Sequence, residues 1–330
     1  MTKHLDKIYI TGGAGYVGAA LVPRLLAEGR AVTVLDLMIY GDDVIKPHPK
    51  LTMIRGDIRD KALLAKTIPG HDAVIHLACI SNDPSFELNP DLGKSINLDA
   101  FEPMVKISQN SGVKRFVYAS SSSVYGVKQE QNVHEGMLLE PLTDYSKFKA
   151  DCEKILASYQ SPDFTTVTIR PATVCGYSPR QRLDVVVNIL TNLAFHKREI
   201  TVFGGKQLRP NIHIADMVDA YIVLLDATRD KIAGEIFNVG TENQTVLELA
   251  QTVQGVIGDD VKLVATPTND NRSYHISSKK IADILGFVPS HTIAEACQDL
   301  KNALEMGLLP NSLVDERYFN IKRMQNLSLQ

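Results

Sequence analysis

The chain has 330 residues, of which 44% are hydrophobic and 22% charged, a composition typical of folded globular proteins rather than disordered ones. Its 35 basic and 38 acidic side chains give a net charge of -3, so no overall positive field would attract a nucleic acid. The 4 cysteines form no Cys-x-x-Cys pair, which excludes a cysteine-based zinc site and argues against a disulfide framework. We predict no metal centre.

The sequence contains no candidate targeting or membrane segment. No stretch approaches the roughly 20 apolar residues of a membrane span. The N-terminus is polar and leads into one short apolar run, which two glycines interrupt too early for a secretory signal. We therefore predict a cytoplasmic protein without membrane association.

The first half of the chain alternates short apolar strands with segments of helical periodicity. Strands are predicted at 8–10, 31–35, 51–55, 73–76, 115–119 and 165–170, and helices at 16–28, 61–67, 92–111 and 145–159. Strands separated by helices form βαβ units, which build a parallel sheet covered on both faces. We predict an α/β fold with a doubly wound parallel sheet and a ligand crevice at the carboxyl ends of its strands.

The pattern becomes irregular after about residue 176. Amphipathic helices are predicted at 216–226 and 245–257, the second after a polar cap region. We divide the chain into a first domain, 1–176, and a smaller C-terminal α/β domain, 177–330, and expect some later segments to return to the first domain. The last residues, 316–330, show no core pattern and are open to assignment as a lid, an interface arm or a frayed end.

A glycine-rich loop follows the first strand and opens the first helix. Gly12, Gly15 and Gly18 fit G-x-x-G-x-x-G, in which the glycines permit a tight turn, close approach of a pyrophosphate and helix–strand packing. The helix N-terminus offers N–H groups to phosphates. Asp36 ends the second strand and can accept hydrogen bonds from ribose hydroxyls, whereas Leu37 gives no positive charge for a 2′-phosphate, which favours NAD over NADP. The alternative is a structural turn with a solvated acid.

Asp57 and Ile58 follow the third strand. An acid there can hold the adenine amino group, and an apolar neighbour can stack on the ring. The alternative is an ordinary loop aspartate that caps the helix beginning at Lys61.

A Tyr-x-x-x-Lys motif and a serine cluster carry the candidate chemistry. Tyr145 and Lys149 are four residues apart, so they share one face of a helix. Tyrosine is a poor base at neutral pH, but a nearby ammonium lowers the pKa of a phenol. The cluster 120–123 follows the fifth strand, where a serine can hydrogen-bond a substrate hydroxyl and the phenol. A serine-rich turn without chemistry is the alternative.

These motifs, together with Arg170 and Pro171, occur in the order and at the intervals of a known family. The chain resembles an extended short-chain dehydrogenase/reductase of the NAD-dependent nucleotide-sugar epimerase/dehydratase group. The resemblance implies a Rossmann domain, a bound NAD and a smaller domain that binds a nucleoside-diphosphate sugar. It also implies that Ser121 is the catalytic hydroxyl, Tyr145 the base and Lys149 the ribose-binding activator.

The motifs and the resemblance also give a set of expected contacts. The cofactor contacts are Gly12, Gly15, Tyr16, Val17, Asp36, Asp57, Ile58, Leu77, Ala78, Asn97, Tyr145, Lys149 and Pro171. The substrate contacts are Ser81, Asn82, Ser122, Ser123, Arg209 and Arg272. The two arginines are expected to clamp a diphosphate, with Arg180 as a further candidate. The alternative for Ser81 and Asn82 is a turn set by Pro84.

The serine cluster also bears on the reaction. The family's 4,6-dehydratases carry an Asp-Glu pair just after the catalytic hydroxyl, where this chain has Ser122 and Ser123, which are no acids near neutral pH. We therefore predict an epimerase that transiently oxidises a sugar hydroxyl. The first alternative is a dehydrogenase or reductase that catalyses a net redox reaction, and a dehydratase is less favoured. A protein without catalytic activity, such as an NAD-binding sensor or scaffold, is the alternative from another functional class. The resemblance further implies a homodimer through two helices per subunit, near 92–111 and 144–160.

Overall fold

The computed structural model describes residues 5–81, 83–268 and 273–327. The strands of these ranges are β1 (Lys7–Thr11), β2 (Ala31–Asp36), β3 (Leu51–Arg55), β4 (Ala73–His76), β5 (Arg115–Ala119), β6 (Thr165–Pro171), β7 (Thr173–Cys175), β8 (Glu199–Phe203), β9 (Leu208–His213), β10 (Glu235–Val239), β11 (Glu242–Thr245) and β12 (Lys262–Thr266). The helices are α1 (Gly18–Ala27), α2 (Lys61–Thr67), α3 (Asp83–Phe86), α4 (Pro90–Lys94), α5 (Phe101–Asn110), α6 (Asp144–Ser158), α7 (Val186–Lys197), α8 (Ile214–Asp226), α9 (Arg229–Ile232), α10 (Val246–Ile257), α11 (Lys279–Leu285), α12 (Ile293–Glu305) and α13 (Asn320–Leu327).

Seven parallel strands form the central sheet, in the order β10-β6-β5-β4-β1-β2-β3. The strand order reverses direction between β1 and β4, and this reversal opens a crevice at the carboxyl ends of the strands. All four residues of β4 are buried, as expected for a strand with helices on both faces. The predicted Rossmann-type, doubly wound parallel sheet is confirmed.

The helix predicted over 92–111 is interrupted. Two α-helices, α4 and α5, flank a single π-helical turn, Ser95–Asp99. Pro103 lacks an N–H group, so it fits the first turn of a new helix and not the middle of a long one. The side chain of Asn97 lies in the π turn and hydrogen-bonds the backbone of Ile80, whose N donates at 2.8 Å and whose O accepts at 2.9 Å. The turn therefore aims Asn97 at the loop that follows β4.

The later part of the chain contributes to both regions. Strand β10 pairs with β6 in the central sheet, and α8 packs against α1. The remaining strands form two small sheets, β11-β9-β7 and β12-β8, beside a core built from α7, α10 and α12. None of the helices within the described ranges is both long and apolar enough to cross a membrane.

The C-terminal segment is ordered and returns to the central sheet. A 3₁₀ turn, Glu316–Tyr318, leads into α13, whose Met324 is buried in the same apolar cluster as Ile80 and Tyr118. Of the three expectations for this segment, the structure therefore excludes a frayed end for residues 316–327. Residues 328–330 lie outside the described ranges.

Candidate active site

A cavity of about 540 Å³ opens at the carboxyl ends of the central strands. Its wall includes the strand ends Asp36, Ala119 and Pro171 and the residues that follow β1 and β4. This is the position expected for a ligand site in a doubly wound sheet, because the loops diverge there.

The glycine loop forms one end of this cavity, and its backbone packs closely against neighbouring backbone atoms. Gly12 has φ +74°, and a Cβ on it would lie 2.5 Å from the backbone N of Ala78. A Cβ on Gly18 would lie 2.4 Å from the carbonyl oxygen of Gly13. Side chains at these two positions would collide with backbone, so the glycines allow the close packing that the motif predicts.

Asp36 closes the same end of the cavity. Its carboxylate accepts hydrogen bonds from the backbone N of Ala14, at 3.0 Å, and of Met38, at 2.7 Å. Burial raises the pKa of Asp36, and these two amide donors oppose that effect. The carboxylate is thus fixed beside the glycine loop, where ribose hydroxyls of a dinucleotide would donate to it.

Asp57 also lines the cavity, but its carboxylate does not cap helix α2. Its carboxylate accepts hydrogen bonds from Arg59, whose Nη2 lies 2.7 Å from Oδ2. Burial raises the pKa of Asp57, yet the hydrogen bonds from Arg59 outweigh burial and hold it below its usual value. The cap of α2 is Asp60, whose Oδ1 accepts from Leu63 N at 2.9 Å. The capping role considered for Asp57 is therefore filled by another residue.

Helix α6 presents Tyr145 and Lys149 to the cavity. The helix starts with a capping box, in which Ser146 N donates to Thr143 Oγ1 at 3.3 Å and Thr143 N donates to Ser146 Oγ at 3.1 Å. Lys149 is buried, and its Nζ donates to the carbonyl oxygen of Ala119 at 2.7 Å. The same Nζ lies 5.8 Å from the ring centroid of Tyr145. The ammonium is therefore held close to the phenol, as the motif predicts.

Ser121 follows β5 and caps the short 3₁₀ helix Ser122–Tyr125. Its Oγ accepts from Ser123 N at 3.1 Å and lies 2.9 Å from Ser123 Oγ. Both serines and Ser122 are in the cavity wall with Tyr145. The cap fixes the position of the Ser121 oxygen, which leaves a positioned polar group in the wall that Tyr145 also lines.

A buried ion pair supports this region from behind. Glu153 on α6 receives Arg170 Nε at 2.9 Å and Arg170 Nη2 at 2.6 Å, and the hydroxyl of Ser120 also donates to it. Arg170 Nη1 donates to the Tyr125 hydroxyl at 2.7 Å, which in turn donates to Asn238 at 2.7 Å. The network joins Ser120 of the serine cluster to α6, β6 and β10.

The structure brings most of the expected contacts together in one wall. The lining residues among them are Gly12, Gly15, Tyr16, Val17, Asp36, Asp57, Ile58, Leu77, Ala78, Ser81, Ser121, Ser122, Ser123, Tyr145, Lys149, Pro171 and Arg209. Asn97 lies behind the wall and holds the backbone of Ile80 instead of facing the cavity. Asn82 and Arg272 lie outside the described residues.

Several wall residues were not singled out from the sequence. They include Tyr40, Arg182, Asp184, Asn320 and Met324. Arg182 belongs to a short polar run between Pro179 and Leu183, so its charge was visible in the sequence, whereas its direction was not. Asn320 and Met324 come from a segment without a core pattern, and only the long-range packing of α13 brings them to the cavity.

The residues present fit a dinucleotide. The glycine loop leaves its backbone accessible at a helix N-terminus, the fixed Asp36 carboxylate can accept from a ribose, and apolar residues such as Ile58 line the same end. No arginine or lysine directly follows Asp36 in the sequence, so no adjacent positive charge is present for the 2′-phosphate of NADP.

Comparisons with known proteins identify the family of the chain. A sequence profile of the NAD dependent epimerase/dehydratase family matches residues 8–240. The UDP-glucose 4-epimerase of Lactobacillus helveticus is 28% identical over 306 residues, which cover 86% of this chain and 92% of that protein. A dTDP-glucose 4,6-dehydratase of Actinoplanes sp. is 26% identical over 301 residues, with 86% and 92% covered. The NAD complex of the Thermus thermophilus UDP-glucose 4-epimerase has a TM-score of 0.80 at 24% identity and covers 91% of this chain and 99% of that chain.

The relatives include both epimerases and dehydratases, so the match does not by itself select the reaction. The solved structure shows that the fold is shared. The profile covers more than half of the chain and includes the glycine loop, the serine cluster and the Tyr-x-x-x-Lys motif. The chain therefore belongs to the NAD-dependent epimerase/dehydratase family, among the extended short-chain dehydrogenases/reductases, and its cofactor is NAD.

Proposed function

We propose that the protein is a nucleotide-sugar epimerase that acts by transient oxidation of a sugar hydroxyl. The observation that carries this proposal is that Ser121, Tyr145 and Lys149 line the same cavity as the glycine loop and Asp36. A noncatalytic NAD sensor has no need of this trio beside its cofactor. When bound, NAD supplies the hydride acceptor for such an oxidation.

The three side chains have distinct roles in the proposal. The Tyr145 phenolate accepts the proton of the sugar hydroxyl, and the Ser121 hydroxyl hydrogen-bonds the same oxygen. The Lys149 ammonium, 5.8 Å from the Tyr145 ring centroid, favours the phenolate over the phenol. Its hydrogen bond to Ala119 O keeps the ammonium buried in that position.

The acids of the cavity favour epimerisation over dehydration. Among the described wall residues, the carboxylates are Asp36, Asp57 and Asp184. The first two lie at the cofactor end, and Asp184 accepts a hydrogen bond from Arg182 Nε at 2.6 Å. The wall beside Ser121 therefore offers hydroxyl groups, and an elimination that needs a carboxylic acid there has no evident donor.

The test is turnover of a panel of uridine, thymidine, guanosine and cytidine diphosphate sugars. Product stereochemistry is followed by NMR and reduced cofactor by absorbance at 340 nm. An epimerase is expected to yield an inverted sugar without net reduced cofactor. Accumulation of reduced cofactor would support a net dehydrogenase instead, and loss of water would support a dehydratase.

Two variants separate the chemistry from the fold. Tyr145→Phe is expected to lower kcat by at least about a hundredfold while NAD binding persists, because only the proton acceptor is removed. Tyr159→Phe is the matched control, since Tyr159 is the C-cap of the same helix and its hydroxyl donates to exposed Glu102 at 3.0 Å. Full turnover by the Tyr145 variant would show that another group is the base.

We also propose that the protein is a homodimer through α5 and α6. Both helices have one exposed face, which carries Glu102, Lys106 and Lys147 and is accessible to a second copy of the chain. Sedimentation at micromolar concentration tests this proposal, and a monomer there would contradict it.

A further inference from the structure

Arg182 is a largely buried arginine in the wall of the cavity, and one of its nitrogens has no hydrogen-bond partner in the described part of the chain. It lies in the loop between β7 and α7, and its side chain is only 12% exposed. Its Nε donates to Asp184 Oδ1 at 2.6 Å, and its Nη1 donates to Ser81 Oγ at 3.1 Å. Its Nη2 is buried and has no hydrogen-bond partner among the described residues.

The partners of Arg182 are themselves held in place. Asp184 Oδ2 accepts from the backbone N of Asn320 at 2.8 Å, and Ser81 Oγ accepts from Asn320 Nδ2 at 3.0 Å. Asn320 Oδ1 accepts from Arg180 Nη2 at 2.6 Å. Three separate segments of the chain therefore fix one face of the Arg182 guanidinium, so its orientation is set before any ligand binds.

The guanidinium stays charged in this position. Burial lowers the pKa of Arg182, but the carboxylate of Asp184 and the phenols of Tyr40 and Tyr145 raise it, and the net direction is upward. Arg182 and Tyr145 line the same cavity. A buried charged donor without an acceptor is costly, and the cost is removed when an anionic oxygen accepts from it.

We propose that Arg182 binds an oxyanion of the substrate, with Ser81, Asp184 and Asn320 as the residues that position it. A guanidinium fork with two fixed edges and one open edge suits a carboxylate or a phosphate oxygen. Two groups of a nucleotide sugar have this chemistry, namely the C5 carboxylate of a uronic acid and the diphosphate. This inference rests on the proposed nucleotide-sugar substrate, and it adds that an anionic group of that substrate is bound by Arg182.

The test compares three probes on the NAD-loaded protein by isothermal titration calorimetry: UDP-glucuronate, UDP-glucose and UDP. Arg182→Gln removes the charge and most of the fork. If the anion is a carboxylate, the variant is expected to bind UDP-glucuronate about 10- to 100-fold more weakly and UDP-glucose almost unchanged. If the anion is the diphosphate, all three probes are expected to weaken by a similar factor.

Two further variants keep the test decisive. Arg182→Lys retains a charge beside Asp184 and is expected to fold, yet it lacks the planar fork and is expected to weaken the same probes about five- to tenfold. Arg198→Gln is the matched control, because Arg198 also pairs with an aspartate, Asp260, but on the surface. Its affinities are expected to equal those of the unaltered protein.

The outcomes that overturn the inference differ from those that overturn the proposed function. Affinities unchanged in both Arg182 variants would overturn the inference. So would a weakening of both sugars by one factor while UDP affinity is unchanged, since that pattern indicates a contact with the neutral sugar hydroxyls and not with an anion. Failure of the unaltered protein to bind or turn over any nucleotide sugar in the wider panel would instead remove the proposed function, and this inference with it.

Discussion

The ion pair between Glu153 and Arg170 provides a quantitative test of the packing beneath the active site. Their side chains are 4% and 3% exposed, and two hydrogen bonds join them. Burial lowers the pKa of Arg170, but its contacts with Glu153 raise it well above its usual value. Removal of one partner from such a buried pair typically costs about 3–5 kcal/mol, because the other charge is left uncompensated.

The substitution Glu153→Gln keeps the side-chain volume and removes only the charge. We expect it to lower the free energy of unfolding by about 3–5 kcal/mol, which for a chain of this length lowers the thermal midpoint by about 4–7 °C. Circular dichroism at pH 7 measures the midpoint. The variant is also expected to lower turnover, because Ser120 loses a charged acceptor next to Ser121.

An exposed pair provides the control for this prediction. Asp260→Asn removes a carboxylate from the surface pair with Arg198 and is expected to shift the midpoint by less than about 1 °C. A second variant, Glu153→Leu combined with Arg170→Met, removes both charges and is expected to recover much of the loss. A shift for Glu153→Gln as small as that of Asp260→Asn would refute the reasoning.

Three further predictions follow from local geometry. Gly12→Ala is expected to weaken NAD binding in a fluorescence titration, because the new Cβ would lie 2.5 Å from the backbone N of Ala78. Gly70→Ala is the control: Gly70 also has a positive φ, +86°, but a Cβ there would have no atom within 4 Å. This control variant carries only the conformational cost and is expected to leave NAD binding intact. The hydrogen bond to Asp216, 2.8 Å long, raises the pKa of His291. The stability that this pair contributes is therefore complete below about pH 6.5 and is lost as the pH rises through the folded-state pKa, and urea unfolding of His291→Asn is expected to lack this pH dependence. A chain that ends at Phe319 lacks α13 and is expected to release NAD faster during gel filtration, and equal retention would show that α13 does not hold the cofactor.

The sequence was sufficient for the parts of the fold that are encoded locally. The strand predicted over 73–76 coincides with β4, because a strand buried on both faces is a continuous apolar run. The polar cap region before the second amphipathic helix was also recognisable, and Thr245 forms a capping box with Glu248. The predicted fold class, the family and NAD as the cofactor are confirmed by the topology and the comparisons.

Features that depend on distant partners were not predictable in this way. The apolar residues of α13, Ile321, Met324 and Leu327, recur at helical spacing, but so short a repeat does not show which part of the fold the helix packs against. The π turn around Asn97 depends on hydrogen bonds to Ile80 and on a contact between the Cys152 thiol and the Asn97 carbonyl at 3.2 Å. Whether Arg182 faces solvent or the cavity likewise depends on contacts more than a hundred residues away. The roles of the individual site residues and the sugar substrate stay predictions.

The position of α13 has a consequence for how the protein matures. The wall of the cavity draws on residues from Gly12, near the start of the chain, to Met324, six residues before its end. During synthesis, the first strands of the sheet are therefore made long before the last residues that line the cavity. Folding of the glycine loop is thus not sufficient to form this cavity, because part of its wall exists only once α13 has packed.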